Sequence, residues 1–272
     1  IGQDVPGQRQ HQRHRQDVLE QKKDFWHGKA EEFNQRVQQR WLQPDSSREF
    51  LSQTIQTLPN ASVLDIGAGS GAWTLWMAPH VRQITALDPS ESMLAQCHLM
   101  VQQAGLQNVD FIHAAWPLDL PNQYDICLCS HAMYGAEDFR GFITAMNKAA
   151  RRRCILLIRA PHPNGIMGQA ARLVFGHPYD SPNFQVAYQI LLEMGIFANV
   201  IFEEERLWKP WESPSLPAAL DELKARLGVG TDSSHDVEFL QLLNQNLVLA
   251  GEKYLWPRAV RTALVWWDVT GS

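Results

Sequence analysis

VLDIGAGSGA (residues 63–72) joins a short apolar run to a turn that contains three glycines. Val63, Leu64 and Ile66 are typical of a buried β-strand, and glycines directly after a strand allow the backbone to approach a ligand closely. We therefore predict a cofactor site at the carboxyl end of this strand. The glycines alone leave two ligands open: a dinucleotide pyrophosphate, or a ligand with no phosphate.

Short apolar segments alternate with helical patterns along most of the chain, which favours a parallel sheet covered by helices on both faces. The predicted strands are 62–66, 83–87, 109–113, 124–129, 153–159, 198–205 and 261–268. The predicted helices are 46–58, 71–79, 90–104, 138–149, 184–194, 216–227 and 235–249. Ser46 or Ser47 is expected to cap the first of these helices.

The chain divides into three parts. Residues 1–16 are polar without apolar periodicity, so we predict a frayed tail. Apolar residues then recur at helical spacing up to a proline, which predicts an N-terminal helical cap over 17–58. Residues 59–272 form the main domain, with an irregular or partly helical insertion around 160–182 that is rich in Pro, Gly and His.

Composition excludes several classes of partner. The formal net charge of -5 supplies no general attraction to nucleic-acid phosphates, and no apolar run approaches the roughly 18 residues that cross a membrane. The four cysteines lack the paired spacing of a zinc site. We expect a soluble, cytoplasmic protein with buried free thiols, no metal, and neither nucleic acid nor membrane as a partner.

The glycine turn fits two cofactor patterns. Gly67, Gly69 and Ala72 match the G-x-G-x-x-G/A dinucleotide fingerprint. Asp88 follows about 20 residues later, at the end of the second predicted strand, where a ribose-binding acid belongs. Asp65 argues against a dinucleotide, because a carboxylate two residues before the first glycine would repel a pyrophosphate and attract an ammonium or sulfonium group.

Three stretches resemble, in order, the motifs of the class I S-adenosylmethionine-dependent methyltransferases, in particular their small-molecule branch: VLDIGAGSGAWTLWMA, ALDPSESML and YDICLCSHAMYGAED. The resemblance is strong over 61–159, and FWHGKAEEFNQRV (25–37) is similar to the lid helix of many members. It implies a Rossmann-like α/β three-layer sandwich with a mostly parallel seven-stranded sheet and an antiparallel last strand. It also implies S-adenosyl-L-methionine as the cofactor and S-adenosyl-L-homocysteine as the product.

The resemblance also implies contacts to the cofactor. Asp65 and the backbone at Gly67 would hold the methionine amino group. Gly69 would let the adenosine lie against the turn, and Asp88 would accept both ribose hydroxyls. The remaining members of this predicted set near the turn and the neighbouring strand ends are Ala68, Gly71, Pro89, Met93 and Ser130.

The sequence departs from the family after the third strand. Many members carry an aspartate there for the adenine amine, whereas the aligned residues here are 113–116, His-Ala-Ala-Trp. Backbone groups around Ala115 would then hold the adenine. Trp116 would stack on it or, as we prefer, fill space in the core.

Candidate catalytic groups follow the fourth strand. Ser130, His131 and Tyr134 leave the carboxyl end of a central strand, where open α/β sheets bind ligands. His131 could act as a general base because its usual pKa lies close to working pH. It could equally hydrogen-bond the backbone or the cofactor. The loop lacks the Asn-Pro-Pro-Tyr type of sequence that methyltransferases of nucleic acids or protein glutamine use.

A small, flat or aromatic acceptor is expected, because aromatic and imidazole side chains are common in the segments predicted to cap the sheet. The candidate substrate-binding residues are Trp26, His162, His177, Tyr179, Trp211 and Arg258, with His27, Trp208 and Arg261 beside them. The residues do not define the acceptor atom or the oligomeric state. An NAD(P)-dependent oxidoreductase and a non-catalytic S-adenosylmethionine-binding protein are the alternative interpretations.

Overall fold

The computed structural model describes residues 37, 41–43, 45–179, 183–204, 210–258 and 260–269. Its strands are β1 (Ser62–Ile66), β2 (Gln83–Asp88), β3 (Val109–His113), β4 (Tyr124–Ser130), β5 (Ala150–Pro161), β6 (Asn199–Phe202), β7 (Glu212–Ser213), β8 (Val248–Ala250), β9 (Lys253–Leu255) and β10 (Val260–Asp268). Seven strands form one sheet in the order β3-β2-β1-β4-β5-β10-β6, and a small sheet has the order β7-β9-β8.

The direction of the strands in the large sheet places the candidate site. Strands β1 to β5 run parallel, and β10 runs antiparallel between β5 and β6. This confirms the expected seven-stranded sheet with an antiparallel last strand. The chain builds outward from β1 to β3 and then returns to β4 on the other side of β1. Ligands of open α/β sheets bind at such a reversal, here at the carboxyl ends of β1, β2 and β4.

Helices cover both faces of this sheet. The α-helices of the described residues are α1 (Ser46–Thr57), α2 (Ala72–Met77), α3 (Glu91–Gln103), α4 (Phe139–Ala149), α5 (Ile166–Phe175), α6 (Phe184–Glu193), α7 (Leu216–Leu227) and α8 (Asp236–Asn246). Side chains of a strand alternate between faces. Leu64 and Ile66 pack in one apolar cluster with α4 and α6, whereas Val63 packs in another with α1 and α2. This arrangement is the expected three-layer sandwich.

Several bounds differ from the prediction. β1 and β3 have the predicted bounds, but β5 extends beyond 153–159 at both ends, because Ala150 pairs with Tyr124 of β4 and Pro161 pairs with Val260 of β10. The strand predicted at 198–205 ends at Phe202. The helix predicted at 235–249 ends at Asn246, because Leu247 is extended (φ -74°, ψ 144°) and leads into β8.

The cap of α1 is Asp45, not Ser46 or Ser47 as predicted. Asp45 has the extended backbone of a capping residue (φ -136°, ψ 153°), and its Oδ1 accepts the N–H of Arg48 at 2.7 Å. Ser47 lies inside the helix, and its hydroxyl donates to the buried carboxylate of Glu203. The prediction failed because three neighbouring residues can all cap, and only the tertiary contact of Ser47 separates them.

A second group of elements has its own core. Helices α5, α7 and α8 share an apolar cluster that includes Ala170, Leu223, Phe239 and Trp256. The predicted insertion at 160–182 is therefore partly helical, because α5 lies within it.

The predicted tail and most of the predicted N-terminal cap lie outside the described residues. Trp41 is an exception, and it packs edge to face on Trp73 of α2 with ring centroids 4.8 Å apart. No described helix is long and apolar enough to cross a membrane.

Candidate functional site

The turn after β1 depends on glycine conformations. Gly67, Gly69 and Gly71 have φ values of 71°, 55° and 88°, a region that other residues rarely adopt. The N–H groups of Gly67 and Ala68 both donate to the carbonyl of Leu87, at 2.7 and 3.0 Å. These bonds join the turn to β2, so the ends of the two strands form one unit.

The three glycines meet different surroundings. A Cβ at Gly67 would lie 2.1 Å from the Cβ of Ala132, and one at Gly71 would lie 2.3 Å from the Sγ of Cys97. At Gly69 no atom of the described residues lies within 4 Å of such a Cβ. Packing therefore requires the outer two glycines, whereas the middle one borders open space in which a ligand can approach the backbone.

Asp88 ends β2 beside this open space. Its Oδ2 accepts the N–H of Gly69 and its Oδ1 accepts the N–H of Ser90, both at 2.8 Å. Each carboxylate oxygen has two lone pairs, so each can accept one more hydrogen bond. Burial raises the pKa of Asp88, and the two N–H donors oppose that rise. Two fixed oxygens with one acceptor position each suit a ribose diol.

Pro89 and Met93 connect this carboxylate to α3. Ser90 caps α3, and its Oγ accepts the N–H of Met93 at 3.3 Å. The side chain of Met93 is buried, and the carbonyl of Pro89 lies 3.0 Å from Nε2 of His113. The positions of Pro89 and Met93 therefore agree with their predicted place in the cofactor site beside Asp88.

Asp65 is a buried carboxyl group at the end of β1, with 1% of its surface exposed. Its Oδ2 accepts the hydroxyl of Thr74 at 2.7 Å. Burial and, to a smaller extent, the charge of Asp88 raise the pKa of Asp65 to about 7, although the hydrogen bonds from Thr74 oppose this rise. A cationic ligand would stabilise the charged form, whereas a pyrophosphate would disfavour it further.

The loop after β4 packs directly on the glycine turn. Ala132 fills the space beside Gly67, and Ser130 Oγ accepts the indole N–H of Trp73 at 2.9 Å. His131 lies between them with a φ of 55°, which is unusual for a residue with a side chain. The loop is thus held against both the turn and α2.

Both ring nitrogens of His131 contact hydroxyl groups. The hydroxyl of Tyr134 accepts the N–H of Arg159 at 2.8 Å and lies 2.6 Å from Nδ1 of His131. Burial raises the pKa of Tyr134 above its usual range, so the phenol keeps its proton, and it either donates to Nδ1 or accepts a hydrogen bond from an Nδ1–H. Nε2 lies 3.4 Å from Oγ1 of Thr262. Of the two roles left open for His131, this geometry favours hydrogen bonding over proton removal.

Trp116 packs in the core. Its indole N–H donates to the carbonyl of Phe142 at 3.3 Å, and the two rings meet edge to face at 6.2 Å. Ala115, one residue earlier, is exposed. The preferred packing role of Trp116 agrees with its contacts.

The described candidate substrate residues have different neighbours. His177 packs against Tyr179 with centroids 5.8 Å apart, whereas Trp211 packs against Trp256 in the second group of elements. Arg258 is exposed. His162 lies in a groove together with Arg261. Trp26, His27 and Trp208 lie outside the described residues.

Sequence reasoning missed the partners that hold the loop after β4. Arg159 and Thr262 are register partners on β5 and β10, and Trp73 reaches the loop from α2. These residues are distant in the chain, so no local spacing relates them. Among the described residues, no group of three or more His, Cys, Asp or Glu side chains is placed to hold a metal ion.

The family comparison agrees with this geometry. Residues 63–153 match the family model described as a methyltransferase domain. This segment is similar to methyltransferase domains. It contains the glycine turn, Asp88 and the loop after β4, and the cofactor of its family is S-adenosylmethionine.

Two related proteins and one structure extend the comparison of the methyltransferase domain. An uncharacterized protein from Haemophilus influenzae is 26% identical over 238 residues, which is 83% of each chain. The uncharacterized methyltransferase YcgJ from Bacillus subtilis is 34% identical over 93 residues, 34% of this chain and 37% of its own. The crystal structure of YcgJ has a TM-score of 0.54 at 17% identity, covering 83% of this chain and all of YcgJ, and it shows the same fold.

Proposed function

We propose that this chain binds S-adenosylmethionine at the carboxyl ends of β1, β2 and β4 and that it methylates a small molecule. The observation that carries the proposal is the carboxylate of Asp88, which two backbone N–H groups hold beside the open side of Gly69. This arrangement fits a ribose whose adenosine lies against the turn.

The other residues of the site fit the same cofactor. Asp65 is a buried carboxyl group whose ionisation a cation would favour, so it suits the amino group of the methionine part. Backbone groups of the exposed residue Ala115 would hold the adenine in place of the missing aspartate. When bound, S-adenosylmethionine supplies a methyl group on a positively charged sulfur, which is already activated for displacement.

The chain's own contribution is then mainly positioning. The loop after β4 lies against the glycine turn through Ala132 and is fixed by the hydrogen bonds of Ser130, His131 and Tyr134. We propose that His131 and Tyr134 orient this loop toward the acceptor. The assignment of His131 as a base stays a prediction, because both of its ring nitrogens lie within hydrogen-bonding distance of hydroxyl groups of the chain itself.

A small acceptor is supported by charge. The net charge of -5 gives nucleic-acid phosphates no general attraction, and we propose a flat or aromatic molecule.

We also propose a reducing, cytoplasmic compartment. All four cysteines are free and buried, and burial raises the pKa of each thiol, which keeps it protonated.

Calorimetric titration with S-adenosylhomocysteine tests the cofactor site. Asp88→Ala removes two charge-assisted hydrogen bonds to the ribose, at about 1.5–3 kcal/mol each, so affinity should fall at least about a hundredfold. Asp110→Ala, an exposed aspartate on β3, is the matched control and should leave affinity unchanged. Equal affinity of wild type and Asp88→Ala would refute the ribose assignment, and tight binding of NADH instead would refute the proposed function.

A further inference from the structure

A groove of about 190 Å³ lies at the carboxyl ends of β5 and β6, next to the start of β10. The groove is separate from the glycine turn, but both lie at the carboxyl ends of the parallel strands. The residues that decide its chemistry are Pro161, His162, Phe184, Gln185, Phe202 and Arg261.

Two aromatic rings form the apolar wall of this groove. Phe184 and Phe202 meet edge to face with centroids 5.1 Å apart. Phe202 is 47% exposed although it is a large apolar residue. A cavity of about 150 Å³ accommodates benzene, so the groove has room for about one ring with small substituents.

Gln185 supplies a fixed hydrogen-bond acceptor. Its Nε2 donates to the carbonyl of Pro161 at 3.0 Å, which sets the orientation of the amide. Its Oε1 is buried and accepts no hydrogen bond from any described residue. Buried polar atoms are nearly always paired, so this oxygen requires a donor, and a ligand in the groove can bring one.

His162 and Arg261 line the same groove and supply donors. Nδ1 of His162 accepts the N–H of Asn164 at 3.2 Å, so Nε2 carries the proton of the neutral ring and can donate. The guanidinium of Arg261 has five N–H donors in a fork that matches a carboxylate. Together they favour an anionic group on the ligand.

We propose that this groove binds one end of the methyl acceptor: a flat ring that carries a carboxylate and, elsewhere on the ring, a hydroxyl or amino donor. The carboxylate is bound by Arg261 and His162, and the donor reaches Oε1 of Gln185. The inference rests on the proposed function, and the position of the groove suits it. β5 and β10 lie one and two strands from β4, roughly 5–10 Å at the usual strand spacing, which a small acceptor can span.

Binding at the groove is tested by titrating the full chain with substituted benzoates and measuring the affinities by protein NMR or calorimetry. The probes are 3-hydroxybenzoate and 4-hydroxybenzoate, with benzoate as the probe that lacks the donor. Wild type should bind one of the hydroxybenzoates at least about tenfold more tightly than benzoate, the expected effect of one added hydrogen bond to a buried acceptor.

Two variants assign the contacts. Gln185→Leu should abolish the preference for the hydroxyl, whereas Gln189→Leu, one turn later and exposed on α6, should keep it. Arg261→Gln should weaken all three probes about tenfold or more. Arg82→Gln is the control and should leave the binding of all three probes unchanged, because Arg82 is exposed directly before the amino end of β2.

The outcomes separate this inference from the proposed function. Absence of binding, equal binding of benzoate and both hydroxybenzoates by wild type, or unchanged binding by Arg261→Gln would overturn the groove assignment. S-adenosylhomocysteine affinity is measured on each variant, both as a check of folding and because failure of wild type to bind it overturns the proposed function separately.

Discussion

Replacing Asp65 by asparagine should change stability and cofactor binding in opposite directions. The pKa of this buried carboxyl is raised from an ordinary value of 3.8 to about 7. In the unfolded chain the group loses its proton at lower pH than in the folded protein. Between these two values the folded state therefore binds more protons, and stability falls as pH rises.

The size of this effect follows from the pKa difference. Each unit of difference corresponds to about 1.4 kcal/mol, so the whole shift corresponds to about 4 kcal/mol. Most of this decrease in stability occurs at pH values below the pKa of the folded state. Between about pH 5 and pH 8 the free energy of unfolding falls by about 2–3 kcal/mol. An asparagine side chain carries no charge at any pH, so the Asp65→Asn variant should gain this amount relative to wild type over the same interval.

Urea unfolding at the two pH values measures the difference. Asp110→Asn is the control, because it removes one exposed carboxylate from the sheet without removing a buried one. A pH dependence of stability that is identical in wild type and Asp65→Asn would refute the reasoning.

The same substitution should weaken cofactor binding. A bound ammonium group favours the charged form of Asp65, so binding should release a proton and affinity should rise with pH up to about 7. Calorimetry of S-adenosylmethionine binding in two buffers of different ionisation enthalpy measures this proton. Asp65→Asn should bind more weakly and release none, and unchanged affinity would remove the carboxylate from the ligand site.

Two further sets of substitutions test the turn and the loop. Gly67→Ala should lower the free energy of unfolding by about 2–5 kcal/mol, because the new side chain combines left-handed backbone strain with a clash against Ala132. Gly69→Ala brings the strain without the clash, so it should lower the free energy of unfolding by about 1–2 kcal/mol. It should also bind S-adenosylhomocysteine more weakly. Equal unfolding free energies would contradict this distinction. Tyr134→Phe removes the hydroxyl that contacts the backbone N–H of Arg159 and Nδ1 of His131. Urea unfolding should therefore show a free energy of unfolding lower by about 1–3 kcal/mol. A variant as stable as wild type would show that these hydrogen bonds do not hold the loop.

The sheet was predictable because its signals are local. β1 and β3 are short apolar runs between turns, and their bounds follow from that pattern. The spacing between the glycine turn and Asp88 likewise follows from one strand, one helix and one strand in succession. Residues related in this way come from consecutive elements, so the sequence indicates them directly.

The parts that failed depend on contacts between distant segments. The small sheet joins strands of two or three residues, too short to show an alternating pattern. His131 was left with two roles because its partners Tyr134 and Thr262 include one from β10. Of the groove residues, His162 and Arg261 were predicted as substrate candidates, whereas Phe184, Gln185 and Phe202 were missed, since β5, α6, β6 and β10 each contribute residues to the groove.

A crystal structure of the chain with S-adenosylhomocysteine tests the central claim most directly. We expect both ribose hydroxyls to donate to the carboxylate of Asp88, the adenosine to lie over Gly69, and the amino group to contact Asp65. A ligand whose ribose contacts another group, or that lies away from the carboxyl ends of β1, β2 and β4, would contradict the account.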